Sequence, residues 1–302
     1  MTNLLARAIM MSTPLLLGSI AEVYAERTGV MINAIEGIFL LGAWGGFIGA
    51  YISGSTVVVL RTAIVLGSLM ALLYAFVTVT LKQQQVVTGT AMNILAVGIC
   101  AFFQRVLFGV PTTPLQSETL PKITLPLLSK IPFLGEIFFN QNILTYLAYL
   151  LIPISIFVLY KTSLGLTIRS TGENPVAVDV AGINVNRVRF LTVLAAGAVS
   201  GLAGSFYTVG YLGMFTTNII GGRGWIAFAI CFLGNWSPKG AVLGTLAFGL
   251  ADAVSIYFRT GSSVVPTELI TALPYILTIL LTVFRSNFNV PAKLGIPYSK
   301  EN

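Results

Sequence analysis

The stretch from Phe190 to Gly222 reads FLTVLAAGAVSGLAGSFYTVGYLGMFTTNIIGG and carries no charged side chain. Residues 62–81, 83–104, 137–160 and 269–284 are charge-free as well. Backbone N–H and C=O groups in lipid must be satisfied within the chain, so such runs read as transmembrane helices. Composition agrees. The chain has 302 residues, 56% of them hydrophobic and 9% charged, with a mean hydropathy of +0.89. Soluble domains are about 25% charged, and a surface this poor in charge needs lipid to cover it.

The fold expected is all-α, a polytopic transmembrane helix bundle of about nine spans (eight to ten). The spans are placed at 4–22, 36–53, 57–80, 86–108, 142–160, 190–212, 224–236, 240–258 and 266–284. The seventh is short and is a candidate for a re-entrant helix. The run 190–222 is long enough to end in a non-helical stretch lining a cavity. Residues 8–20 are apolar and Val23-Tyr24-Ala25 resembles a cleavage site, but Arg7 alone makes a poor signal-peptide start, so the first span is read as retained.

Residues 1–302 are read as one transmembrane domain. The net charge of +7 is spread singly between apolar runs, which points to orientation in a membrane and away from nucleic acid. The 161–189 loop holds Lys161, Arg169, Arg187 and Arg189. The 110–140 loop holds Lys122 and Lys130, with Pro111, Pro114, Pro121, Pro126 and Pro132. The first is therefore placed in the cytoplasm with the C-terminus, and the second outside. Gly197, Gly201 and Ser205 recur at intervals of four, as do Gly240 and Gly244, a spacing that lets helices approach closely in lipid.

The chain has no histidine, so the commonest general base and metal ligand is missing. No Asp/Glu pair has catalytic spacing, and Cys100 and Cys231 lie in apolar segments as packing residues. A membrane enzyme, a metal site and a disulfide framework are disfavoured. No phosphate-binding loop is present either. Lys161-Thr162 lacks upstream glycines, and Gly222-Arg223-Gly224 has no dinucleotide-binding unit after it.

Between the fifth and sixth spans, Glu173-Asn174-Pro175-Val176-Ala177-Val178-Asp179-Val180-Ala181-Gly182 reads as a short helix with both ends specified. Asn174 suits the N-cap, Pro175 the first helical position and Gly182 a left-handed C-cap. Two turns are unstable alone because nucleation is costly. Either a partner protein or the rest of the same chain must hold this helix.

Arg169-Ser170-Thr171-Gly172-Glu173-Asn174-Pro175, with Ala177, Ala181-Gly182-Ile183 and Arg187, resembles the cytoplasmic signature of bacterial ABC importer permeases of the ribose and branched-chain-amino-acid type. Glu26-Arg27-Thr28-Gly29-Val30 with Asn33 and Glu36-Gly37 is similar to the segment entering the second helix of the nucleoside-transport subgroup. Gln85-Val86-Val87-Thr88-Gly89 with Asn93 resembles its fourth helix, and Gly221-Gly222-Arg223-Gly224-Trp225-Ile226-Ala227 with Pro238-Lys239-Gly240 its late helices. The resemblance runs from about residue 14 to 250.

It implies a permease subunit in the bacterial inner membrane that imports a nucleoside, or next a simple sugar, by alternating access. Its implied partners are an ATP-binding subunit carrying ATP and Mg, a second permease subunit and an external substrate-binding protein. No cofactor is expected in this chain. The short helix becomes the coupling helix, with Glu173, Asn174, Pro175, Ala177, Asp179 and Gly182 as contacts to the ATPase. The order Glu-Asn-Pro departs from the family's usual Gly-Asn-Pro.

Polar residues inside spans are costly in lipid and often functional. Glu36, Trp44, Asn93, Gln104 and Asp252 are the candidates for the solute path, against the alternative that they bond neighbouring helices or lie near an interface. An ion-coupled carrier or channel acting without an ATPase is the competing class, and it would need Glu36 and Asp252 as coupling carboxylates.

Overall fold

Among the described residues, helices occupy most of the charge-free stretches. The computed structural model describes residues 2–110, 113, 115–126, 129, 131–260, 270, 272–283 and 288–299. In chain order the elements are α1 (Thr2–Arg27), α2 (Ile35–Ser53), α3 (Thr56–Ala75), α4 (Gln85–Phe108), β1 (Lys122–Thr124), α5 (Leu134–Phe138) and β2 (Asn140–Asn142). Then follow α6 (Ile143–Lys161), α7 (Ser163–Glu173), α8 (Pro175–Val180), α9 (Val185–Ser205), α10 (Arg223–Leu233), α11 (Pro238–Thr260) and α12 (Leu273–Val283). α3 and α9 each run on into a π-helical segment, Phe76–Thr80 and Phe206–Leu212.

Among the described residues, seven helices are long and apolar enough to cross a membrane: α1, α2, α3, α4, α6, α9 and α11. The expected count of about nine is not confirmed, on account of two elements. The 224–236 span is only the 11-residue α10. At ~1.5 Å per residue that is roughly half of a ~30 Å hydrocarbon layer. Of the 266–284 span, residues 266–269, 271 and 284 lie outside the described residues, and α12 covers 11 residues. Pro111, Pro114 and Lys130, used above for orientation, also lie outside them.

Burial separates the helices into a centre and a rim. The most apolar windows of α1 and α2 are 72% and 78% buried, against 28% for α3, α4 and α6. The centre is α1, α2 and α9. The rim helices point Leu69, Ile94, Phe102 and Phe157 outward, as an apolar surrounding allows. Small residues set the central spacing. A Cβ on Gly42 would lie 2.2 Å from the carbonyl oxygen of Gly201, so α2 and α9 meet backbone to backbone. The Gly240 position works differently. Its Cβ would strike Gly234 in the turn between α10 and α11, so that glycine serves a turn and not a helix crossing. Polar links cross the bundle too: Ser12 Oγ donates to the Thr245 carbonyl at 2.9 Å, and the Thr13 and Thr145 hydroxyls pair at 3.0 Å.

β1 and β2 form an antiparallel ribbon, with Ile123 opposite Gln141. The ribbon and α5 pack near the start of α1, while α7 packs at its end, where Arg27 reaches Glu173. The 110–140 and 161–189 segments therefore lie at opposite ends of the bundle.

Candidate functional site

α9 and its π-helical extension end at Gly213, with φ +68°. The chain then returns through an irregular segment to the half-length α10. Gly221 and Gly222 take φ of +58° and +84°, values that only glycine adopts without strain. A helix start leaves N–H groups unpaired and carries positive partial charge. Glu36, in the first turn of α2, supplies the acceptors. One carboxylate oxygen accepts from Gly222 N–H and the other from Gly224 N–H, both at 2.8 Å.

The next residue, Arg223, points its Nε at Asp252 of α11, 3.4 Å away. Its guanidinium lies over the Tyr207 ring at 5.3 Å from the centroid, and Nη1 donates to the Ile220 carbonyl at 3.3 Å. Tyr207 is 3% exposed and its hydroxyl finds no hydrogen-bond partner among the described residues. Four elements thus bring Glu36, Tyr207, Arg223 and Asp252 to the start of one broken helix. The cluster holds two carboxylates and a guanidinium over a buried phenol, and Asp252 and Arg223 are the groups able to hydrogen-bond a polar solute.

The other three path candidates stand apart from it. Asn93 accepts from Gly37 N–H at 2.8 Å and donates to the Asn33 carbonyl at 2.9 Å, tying α4 to the entry of α2. Trp44 Nε1 donates to Gln104 Oε1 at 3.1 Å, and its ring lies 5.8 Å from Phe103. Arg223 and Tyr207 were not singled out from the sequence. An arginine beside a Gly-Gly pair between apolar runs was the available signal. Among the described residues no group of three metal-ligating side chains forms.

At the other end of the bundle, α8 has the caps its sequence specifies. Asn174 Oδ1 accepts from Ala177 N–H at 3.1 Å, and Pro175 is the first helical residue. Gly182 takes φ +83°. Ile183 N–H donates to the Val178 carbonyl at 3.2 Å and Gly182 N–H to that of Asp179 at 2.9 Å, the paired bonds of a Schellman motif. Pro175 and Val178 are buried against the chain, whereas Val176 and Val180 are 59% and 83% exposed. One side of α8 is held by its own chain, and the other shows apolar side chains outward. Glu173 is half-exposed, and its carboxylate also touches its own chain: Oε1 lies 3.9 Å from Arg27 Nη1, and Oε2 accepts from Ala292 N–H at 3.3 Å. Replacing Asn174 by Ala removes the N-cap, which costs about 1 kcal/mol of local helix stability. Hydrogen exchange should show faster exchange of the α8 amides with the bundle unchanged.

The model of the family described as branched-chain amino acid transport system / permease component matches residues 4–282. The guanosine ABC transporter permease protein NupQ of Bacillus subtilis is 36% identical, over 96% of this chain and 94% of its own length. The nucleoside ABC transporter permease protein NupC of Lactococcus lactis is 33% identical, over 98% and 96%. A second B. subtilis protein, the guanosine ABC transporter permease protein NupP, is 25% identical over 94% and 81%. A bundle of membrane-length helices, a broken helix bearing a polar cluster and a capped helix exposed at one end accompany this likeness along nearly the whole chain, and the chain belongs to the family of branched-chain amino acid transport system permease components.

Proposed function

We propose that this chain is one permease subunit of an ATP-driven importer that carries a nucleoside across the bacterial inner membrane by alternating access. The near full-length likeness to permeases named for guanosine and for nucleosides carries this reading. The polar cluster supports it. A nucleoside presents hydroxyls and a flat base, which suit Asp252 and Arg223 as hydrogen-bonding groups, with Tyr207 buried against the Arg223 guanidinium.

ATP and Mg belong to a partner ATPase, because this chain has no loop of glycines to cradle phosphates. The exposed Val176 and Val180 on α8 are the surface it would cover from the cytoplasmic side. Asn174, Pro175 and Gly182 fix the shape of that helix, with Ala177 and Asp179 between its caps. An external binding protein would dock at the end bearing the β1–β2 ribbon. Two different B. subtilis permeases, both named for guanosine, match this chain, which favours a related second permease over an identical one.

The test is reconstitution of the complex with its ATPase and binding protein, followed by ATP hydrolysis with guanosine or ribose added. Stimulation by guanosine alone is expected. Stimulation by ribose alone would replace the nucleoside with a sugar, and absence of any bound ATPase would overturn the importer reading. Asp252→Ala removes one charged contact of about 1.5–3 kcal/mol, so guanosine uptake should show a KM raised roughly tenfold to a hundredfold.

A further inference from the structure

Residues 288–299 cross the end of the bundle that bears α7 and α8, and no motif marks them in the sequence. Their contacts are mostly backbone bonds, and they fall on three groups of elements. The first group is the root of the coupling helix. Lys293 N–H donates to the Gly172 carbonyl at 2.8 Å, and Ala292 N–H donates to Glu173, the last residue of α7. The second group is the inner ends of the central helices. Gly295 N–H donates to the Gly29 carbonyl at 3.0 Å. Arg189, 2% exposed at the start of α9, donates to the carbonyls of Ile296 at 2.8 Å and Thr28 at 3.0 Å, so one buried guanidinium joins the segment to the end of α1.

The segment also reaches α10 directly. The Phe288 ring stacks on Phe232 at 4.3 Å, and Asn289 N–H donates to Asn235 Oδ1 at 2.6 Å. Asn235 and Trp236, the turn after α10, both have positive φ, +59° and +51°. Two consecutive non-glycine residues in that region persist only where their surroundings impose it. Asn289 on one side and Arg27, donating to both carbonyls of the turn, on the other impose it here.

We propose that residues 288–296 are a strap that transmits movement of α7 and α8 to α10, so that closure of the ATPase shifts the broken helix and its polar cluster. The inference rests on the importer reading. The strap's bonds to α7 lie beside α8, and its bonds to Phe232 and Asn235 hold the far end of the helix whose start is gripped by Glu36. A movement of α7 therefore pulls on α10 through a short bonded path of backbone, without passing through the packed centre.

The experiment deletes residues 288–302 from the chain in its reconstituted complex. It measures ATPase co-purification and the ratio of guanosine-stimulated to basal ATP hydrolysis. Co-purification should persist while the ratio and uptake fall about tenfold, within the usual range of coupling between sites. A synthetic peptide of residues 288–299 added to the truncated complex should restore the ratio. Asn289→Pro, which removes the N–H donated to Asn235 while leaving the rest of the segment in place, should lower it to an intermediate value. A truncated complex with the full ratio would overturn the strap. So would one that cannot assemble and is not rescued by peptide, since that marks a folding clamp. A full-length chain that binds no ATPase would overturn the importer reading and the strap with it, whereas a working full-length complex beside an equally working truncation sinks the strap alone.

Discussion

Glu36→Leu will abolish transport and loosen α10 from the bundle. The carboxylate accepts from two N–H groups at the start of that helix, each at 2.8 Å. Leucine leaves both donors without their carboxylate partner. Charged hydrogen bonds contribute about 1.5–3 kcal/mol each, and unsatisfied backbone groups in lipid cost several. The loss should be about 3 kcal/mol or more, enough to hold uptake below ~1% of the native rate if α10 must keep its place. Thermal unfolding of the purified chain and uptake by vesicles measure the two effects. Glu36→Gln keeps one acceptor oxygen and should fall between. If Glu36 instead served mainly to bind solute, Glu36→Gln would raise KM and leave unfolding where it was. A coupling carboxylate of an ion-driven carrier would lose ion dependence and keep its stability.

Gly204→Val should leave almost no folded chain in the membrane. A Cβ at Gly204 of α9 would sit 1.9 Å from the carbonyl oxygen of Phe39 and 2.6 Å from its carbonyl carbon. Both atoms belong to the backbone of α2, which cannot rotate aside as a side chain can. Overpacking usually costs about 1–3 kcal/mol and more when backbone must move. α2 and α9 are also central to the bundle, so separating them disturbs every helix around them. Membrane abundance and a single peak on size exclusion are the readouts. Gly98→Val on α4 is the control, because a Cβ there meets nothing within 4 Å. Equal losses at the two positions would show that valine itself, and not the helix crossing, is responsible.

Much of this was legible along the chain. The expected span 190–212 corresponds to α9 with its π-helical extension, together Val185–Leu212, and the expected 86–108 corresponds to α4, Gln85–Phe108. The caps of α8 were legible because each is made within a few residues of Asn174 or Gly182. Other features were not. That the seventh span is short and a candidate for re-entry was legible, but that its helix stops at Leu233 was not. Glu36 reads as a polar residue in a helix, and nothing near it announces a bond to residues 222 and 224. Glu173 reads as a residue for the ATPase, and nothing near it announces that its half-exposed carboxylate also reaches Arg27 and Ala292.

By itself, the sequence determined the class of environment, the helices that fill it and the one short helix shaped at both ends. These follow from hydropathy and from capping, which act over a single turn or a single span. Only the tertiary structure decided which charge meets which: Glu36 with the start of α10, Arg223 with Asp252, and residues 288–296 with the ends of α1, α7 and α10. Those contacts join residues up to 266 positions apart, as Gly29 with Gly295 does. They form because buried backbone donors and acceptors must find partners wherever packing brings one within reach, a condition that no local pattern encodes.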